Sequence, residues 1–129
     1  MKSVVVCGSK RYRVEIAKFC RDLVKLGVLV FEPDFGEPMP EDGMIHSPYI
    51  TGKIFKGLTL EHIDWVRKAE VCVVFNKDDY AGVSVAMEMA YACALGKPIF
   101  ALSPKTGDPC RDALIDKVVT SPKALIALL

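Results

Sequence analysis

Charge of one sign, histidine, tryptophan and long apolar runs are what this sequence has least of. Seventeen Lys and Arg stand against sixteen Asp and Glu, a formal net charge of +1. No cluster of basic residues breaks that balance, so neither nucleic acid nor an anionic membrane is an expected partner. Only two histidines occur, His46 and His62, with no cysteine or carboxylate at ligand spacing along the chain. That pattern predicts no metal site, and no cofactor is expected. GxGxxG and GxxxxGK[ST] are both missing, which removes the main support for a nicotinamide dehydrogenase or a P-loop enzyme. The acidic pair of a phospho-receiver is missing after the first strand as well. The longest apolar stretch, around Val83 to Leu95, contains Glu88 and is too short to span a bilayer. Val4-Val5-Val6 is too short for the apolar region of a signal peptide. Five cysteines (Cys7, Cys20, Cys72, Cys93, Cys110) show no CxxC pair and an odd total. Most lie inside apolar runs, where a free thiol packs as a small hydrophobe, and a reducing cytoplasm is the expected setting.

What is present is ordinary globular composition, 51% hydrophobic and 26% charged. At 129 residues the expectation is one domain over 1–129 with a core of its own. Val4-Val5-Val6-Cys7 reads as a buried strand ending at Gly8-Ser9. Ile16, Phe19, Cys20, Leu23 and Leu26 recur at helical spacing until Gly27 stops the helix. Val28 to Phe31 is a second strand, closed by Pro33. Residues 33 to 57 carry Pro33, Pro38, Pro40 and Pro48 with several glycines, and are expected to be irregular. Thr59 is then expected to cap a helix bearing Leu60, Ile63, Val66 and Ala69. Val71 to Phe75 is the third and clearest strand. A helix is expected from about Gly82-Val83-Ser84 to Gly96, with Pro98 beyond it. Ile99 to Leu102 forms a fourth strand, a loop through Pro104, Gly107 and Pro109 follows, Val118-Val119 is a short fifth strand, and Ser121-Pro122 opens a last helix. Alternating helices and unbroken apolar strands predict a three-layer, doubly wound α/β fold with a parallel sheet of about five strands, flavodoxin-like or Rossmann-like. Ligands of such sheets bind beyond the carboxyl ends of the strands, where the loops after strands one and three lie side by side.

Glu88 is the residue with most to explain. It is the one charged residue between Ala81 and Gly96, set among Val85, Met87, Met89, Ala90, Ala92 and Leu95. A helix apolar nearly all round is mostly buried, and a buried, unpaired carboxylate costs several kcal/mol in effective terms. Retaining one there suggests a nucleophile or base. The structural alternatives are a narrow exposed stripe, or a residue tying subunits together. Gly8, Ser9 and Arg11 follow the first strand and suit an anion, through close backbone approach, a hydroxyl and a forked donor. Asn76, Asp79 and Tyr80 form the facing loop, suited to ribose hydroxyls or a leaving group, although Asn and Asp also favour plain turns. Gly82 and Ser84 open the Glu88 helix, whose free N–H groups suit an anion and whose Ser84 equally suits a cap. His62 is an acid or donor in the crevice, or a structural histidine. Met87, Met89 and Tyr91 read as core or subunit interface.

The run Asn76, Asp79-Tyr80-Ala81-Gly82-Val83-Ser84, Met87-Glu88-Met89-Ala90-Tyr91-Ala92, Leu95-Gly96-Lys97-Pro98-Ile99, with His62 to Glu70 before it, resembles the nucleoside 2-deoxyribosyltransferase-like family. Val6-Cys7-Gly8-Ser9 with Arg11 resembles that family's first loop. The resemblance covers about half the chain. It implies cleavage or transfer at the N-glycosidic bond of a nucleoside or nucleoside 5′-monophosphate, the matching Glu88 attacking the anomeric carbon to form a glycosyl-enzyme. This is the logic of retaining glycosidases, one carboxylate acting as nucleophile while another group handles the leaving-group proton. By the same resemblance Gly8, Ser9 and Arg11 hold a 5′-hydroxyl or phosphate, and the chain assembles as a homodimer or larger homo-oligomer. In the enzymatic reading of the residues themselves His62 and Asp79 assist Glu88, and Asn76, Tyr80, Gly82 and Ser84 bind substrate. The family's tyrosine near the end of the first strand corresponds here to Val5, and its aspartate to His62. Those departures raise the alternative of a non-catalytic nucleotide-binding module that retains the pocket.

Overall fold

The computed structural model describes residues 1–36 and 48–129. Prolines 38 and 40 and His46 lie outside the described residues. Five strands form one parallel sheet in the order β2-β1-β3-β4-β5: β1 (Val4–Gly8), β2 (Val30–Phe31), β3 (Val71–Phe75), β4 (Ile99–Ala101) and β5 (Lys117–Val118). This is the doubly wound, flavodoxin-like order, with its switch point between β1 and β3. The two strands pair in full register, Val4 opposite Val71 and Gly8 opposite Phe75, so both end at the same level.

The pleat divides the core into two layers. Val4 and Val6 of β1, with Val71, Val73 and Phe75 of β3, face α1 (Arg13–Lys25) through Ile16, Phe19, Cys20 and Leu23. Leu125 of α5 (Pro122–Ile126) joins them. Val5, Cys7, Cys72 and Val74 face the opposite way, onto α2 (Pro48–Lys68) and α3 (Val83–Ala94). These helices contribute Val66 from α2 and Val85, Met89 and Ala92 from α3, at helical spacings of four and three. Alternation in β1 thus delivers Cys7 to the α2–α3 side at the open end of the sheet.

Four expectations from sequence are corrected. Residues 48–57 are helical, not irregular, because α2 begins at Pro48. Proline is favoured in the first turn of a helix, where its missing N–H has no partner to lose. Gly52 and Gly57 sit within α2 with open space where a Cβ would stand, so they cost propensity without breaking the helix. Thr59 does not cap: it lies inside α2 and its hydroxyl donates back to the Phe55 carbonyl at 2.7 Å. The loop through Pro109 contains a short helix, α4 (Pro109–Asp112), capped by Asp108 accepting from Cys110 and Arg111 N–H. At β5 the paired residues are Lys117 and Val118, and Val119 is buried beyond them. Among the described residues, no helix is long and apolar enough to cross a membrane.

Candidate active site

A cavity of about 420 Å³ opens beyond the carboxyl ends of β1 and β3, within the size range of small-molecule sites. Three parts of the chain shape it. The loop after β1 gives Gly8, Ser9 and Lys10, α2 gives Phe55, Leu58, Thr59, His62 and Ile63, and the start of α3 gives Gly82 through Val85, Met87 and Glu88. Tyr80 and the segment Pro33-Asp34-Phe35 complete the wall.

Gly8 is fixed by packing. A Cβ there would stand 2.6 Å from Ile16 Cδ1 and 3.2 Å from Phe75 Cβ, so only glycine lets the strand end lie this close to α1 and β3. Ser9 caps the following turn, its Oγ accepting from Arg11 N–H at 3.3 Å. The start of α3 is held by the segment after β4, where Arg111 donates to the Ala81 carbonyl at 2.7 Å and Ala81 N–H donates to Thr106 O. Gly82 is the N-cap, in extended backbone and with no side-chain capping bond. Gly82, Val83 and Ser84 at this helix start line the cavity, and the polarity of a helix N-terminus suits an anion.

Glu88 lies on the margin of the buried stripe of α3, one residue before Met89 and three after Val85. Its side chain is 15% exposed and lines the cavity. His62 of α2 reaches the same point with a side chain 10% exposed, its Nε2 3.5 Å from Glu88 Oε2 and 3.4 Å from Cys7 Sγ. Trp65 stands edge-on to the imidazole, ring centres 5.9 Å apart, and holds it against the sheet. Cys7 Sγ lies 3.7 Å from Cys72 Sγ and within 4.8 Å of a Glu88 carboxylate oxygen.

The electrostatics follow from burial. Burial pushes the Glu88 carboxyl up to about 7, against a hydrogen bond from the Cys7 thiol that lowers it. Burial pushes His62 down to about 4, so its imidazole is neutral near pH 7. The 3.5 Å His62–Glu88 contact is then a neutral ring beside a carboxyl group, not an ion pair. The hydrogen bond shared with Cys72, followed by burial, raises the Cys7 thiol well above its ordinary value. A carboxylate on the wall of this cavity, with no Lys or Arg paired to it among the described residues, retains lone pairs for a reacting centre.

The structure gathers Glu88, His62, Gly8, Ser9, Tyr80, Gly82 and Ser84 around the cavity. It places three other candidates elsewhere. Arg11 is at the rim, its guanidinium 3.9 Å over the Tyr80 ring. Asp79 is not a wall residue, because its carboxylate accepts from the Ser103 hydroxyl. Asn76 is fully buried and its amide is consumed in a clamp on the loop after β4. It donates to Ser103 O and Lys105 O at 2.8 and 2.6 Å, and accepts from Leu102 and Ser103 N–H. The strand residue that reaches Glu88 is Cys7, whereas Val5 is core two positions earlier. Cys7 was hidden by its place in an apolar run, and only its end position and the alternation of β1 mark it. Lys10, Asp34 and Phe55 are wall residues that composition and spacing did not single out.

No protein-family model matches the chain, and no curated protein does. Among solved structures, a conserved protein from Enterococcus faecalis V583 aligns at a TM-score of 0.57 and 17% identity, over 98% of this chain and 96% of that one. A 2-deoxyribosyltransferase from the psychrotolerant bacterium Bacillus psychrosaccharolyticus aligns at a TM-score of 0.57 and 21% identity, over 95% and 89%. The chain has a nucleoside deoxyribosyltransferase-like fold.

Proposed function

We propose that this chain is an enzyme that breaks, or transfers across, the N-glycosidic bond of a nucleoside or nucleoside 5′-monophosphate. The observation that carries the reading is the position of Glu88, its side chain largely buried on the wall of the cavity at the switch point of the sheet. The deoxyribosyltransferase sharing the fold supports the same class of chemistry.

In the first step a Glu88 oxygen bonds to the anomeric carbon as the carbon–nitrogen bond breaks, and the base departs with that electron pair and takes up a proton. In the second, a free base or water attacks the anomeric carbon and releases Glu88 as carboxylate. Neutral His62 packs beside the carboxylate without neutralising it, and the Cys7 thiol stands behind His62 in the same cluster. Gly8, Ser9 and Lys10, with the first turn of α3 and the Ser84 hydroxyl, face the 5′ end of the sugar. Phe35, Phe55, Leu58 and Ile63 give the planar base an apolar wall. Two copies or more form the working assembly, and the cytoplasm is its setting.

The test is incubation with ribo- and deoxyribonucleosides and their 5′-monophosphates, with and without an acceptor base, followed by chromatography. Base release or exchange is expected with at least one substrate and is lost in Glu88→Ala. Turnover no greater than that of Glu88→Ala across the panel would overturn the reading, and ligand-induced thermal stabilisation in that case would leave a binding module.

A further inference from the structure

We propose that Cys7, His62 and Glu88 together form a binding site for a thiophilic divalent transition metal, Zn²⁺ above all, whose occupancy shuts the cavity's chemistry off. Cys7 Sγ, His62 Nε2 and a Glu88 carboxylate oxygen all lie within 4.8 Å of one another. Sγ to Nε2 is 3.4 Å and Nε2 to Oε2 is 3.5 Å. Zinc bonds of about 2.3 Å to sulfur and about 2.0–2.1 Å to nitrogen and oxygen set tetrahedral ligand–ligand edges of roughly 3.3–3.6 Å. Two edges of the tetrahedron are thus preformed, and a rotation of the Glu88 carboxylate closes the third.

Three further features fit a cation of this kind. One sulfur and one imidazole nitrogen make a donor set soft enough for zinc or cobalt and poorly suited to Mg²⁺ or Ca²⁺. Thiolate and carboxylate together carry two negative charges, which a divalent ion neutralises in a place where uncompensated charge is costly. Metal binding expels the Cys7 proton to solvent, and the Cys72 thiol, 3.7 Å away, then donates to the thiolate as an outer hydrogen bond. Because His62 and Glu88 line the cavity, the fourth coordination position faces it. The three ligands come from β1, α2 and α3, so no spacing along the chain announces them.

A metal held there occupies the Glu88 oxygen that attacks the sugar, so metal and glycosyl transfer exclude each other. Only that consequence rests on the function proposed above. The metal site itself is tested without turnover, by titrating Co²⁺ and then Zn²⁺ into the chelator-treated protein. One equivalent of Co²⁺ should bring visible tetrahedral d–d bands and near-ultraviolet thiolate-to-cobalt absorption, both removed by Zn²⁺. Cys7→Ser should abolish the thiolate band, and His62→Ala should weaken binding by at least about tenfold. Cys93→Ser and Cys110→Ser, at exposed positions, should change neither. A featureless Co²⁺ spectrum in the wild-type protein, or a thiolate band lost in Cys93→Ser or Cys110→Ser and kept in Cys7→Ser, would overturn the site. Base release by metal-free protein that one equivalent of Zn²⁺ leaves undiminished would overturn the shut-off.

Discussion

At the scale of single residues, Glu88 works against the fold that holds it. Its carboxyl titrates at about 7 in the folded protein against an ordinary value of 4.5, because burial disfavours the charged form. Between those two pH values the folded chain holds a proton that the unfolded chain has released, so stability falls as pH rises through that window and the loss is complete above it. For a side chain this enclosed, the full effect is on the order of 3 kcal/mol. Glu88→Gln is therefore expected to be more stable than wild type at pH 8, by about 1–3 kcal/mol, and nearly equal to it at pH 4. Urea unfolding in the presence of a chelator, at both pH values, measures this. Equal stabilities at pH 8 would mean the carboxylate is better solvated than its surroundings imply. Asn76 works for the fold instead. Asn76→Ala strands the backbone carbonyls of Ser103 and Lys105 and the Ser103 N–H in a part-buried loop, while the Leu102 N–H keeps the Val74 carbonyl, and a loss of about 2–4 kcal/mol is expected in the same assay.

At the scale of elements, the end of β1 is set by how tightly it packs on α1. Gly8→Ala puts a methyl 2.6 Å from Ile16 Cδ1, and overpacking of this kind costs about 1–3 kcal/mol. Ile16→Val removes that same Cδ1. The double variant should thus be more stable than the sum of the two single losses predicts, by about 0.5 kcal/mol or more. Strict additivity in thermal or urea unfolding would show that the strain lies at Phe75 instead. Most elements were legible in the sequence because their signals are local. The β-branched run of β3 and the Gly96–Pro98 stop after α3 need no tertiary partner to be read. The first three turns of α2 were not legible, since Pro48, Gly52 and Gly57 carry the same local signal as a loop and none of residues 48–58 is buried to mark an inner face. Site residues divide in the same way. Glu88 stood out as a charge on an apolar helix, whereas Cys7 is an apolar-looking strand residue whose role depends on what α2 and α3 bring to it. Asn76 has the right composition for a ligand contact, and the loop after β4 takes all of its hydrogen-bonding capacity.

At the scale of the whole molecule, the strand order puts β1 and β3 side by side at the centre, and α2 and α3 on one face bring His62 and Glu88 to the mouth between them. A ligand filling that mouth links three elements distant in sequence, so it stabilises the native state by mass action. At about a hundredfold excess over its dissociation constant the gain is roughly 2.7 kcal/mol. With Glu88→Gln, which keeps the shape and removes the nucleophile, a substrate nucleoside or 5′-monophosphate is expected to raise the melting temperature without being consumed. No shift with any member of the panel would argue against a nucleoside-sized ligand.

The claim on which the rest depends is that Glu88 is covalently glycosylated during turnover. Acid quenching of the protein with a cleavable nucleoside and no acceptor base, followed by intact mass and peptide mapping, tests it directly. The account predicts one pentosyl adduct per chain, on the peptide containing Glu88, that disappears when acceptor base is added and never forms in Glu88→Gln. Base release by Glu88→Gln at the wild-type rate, or an adduct confined to another peptide, would contradict it.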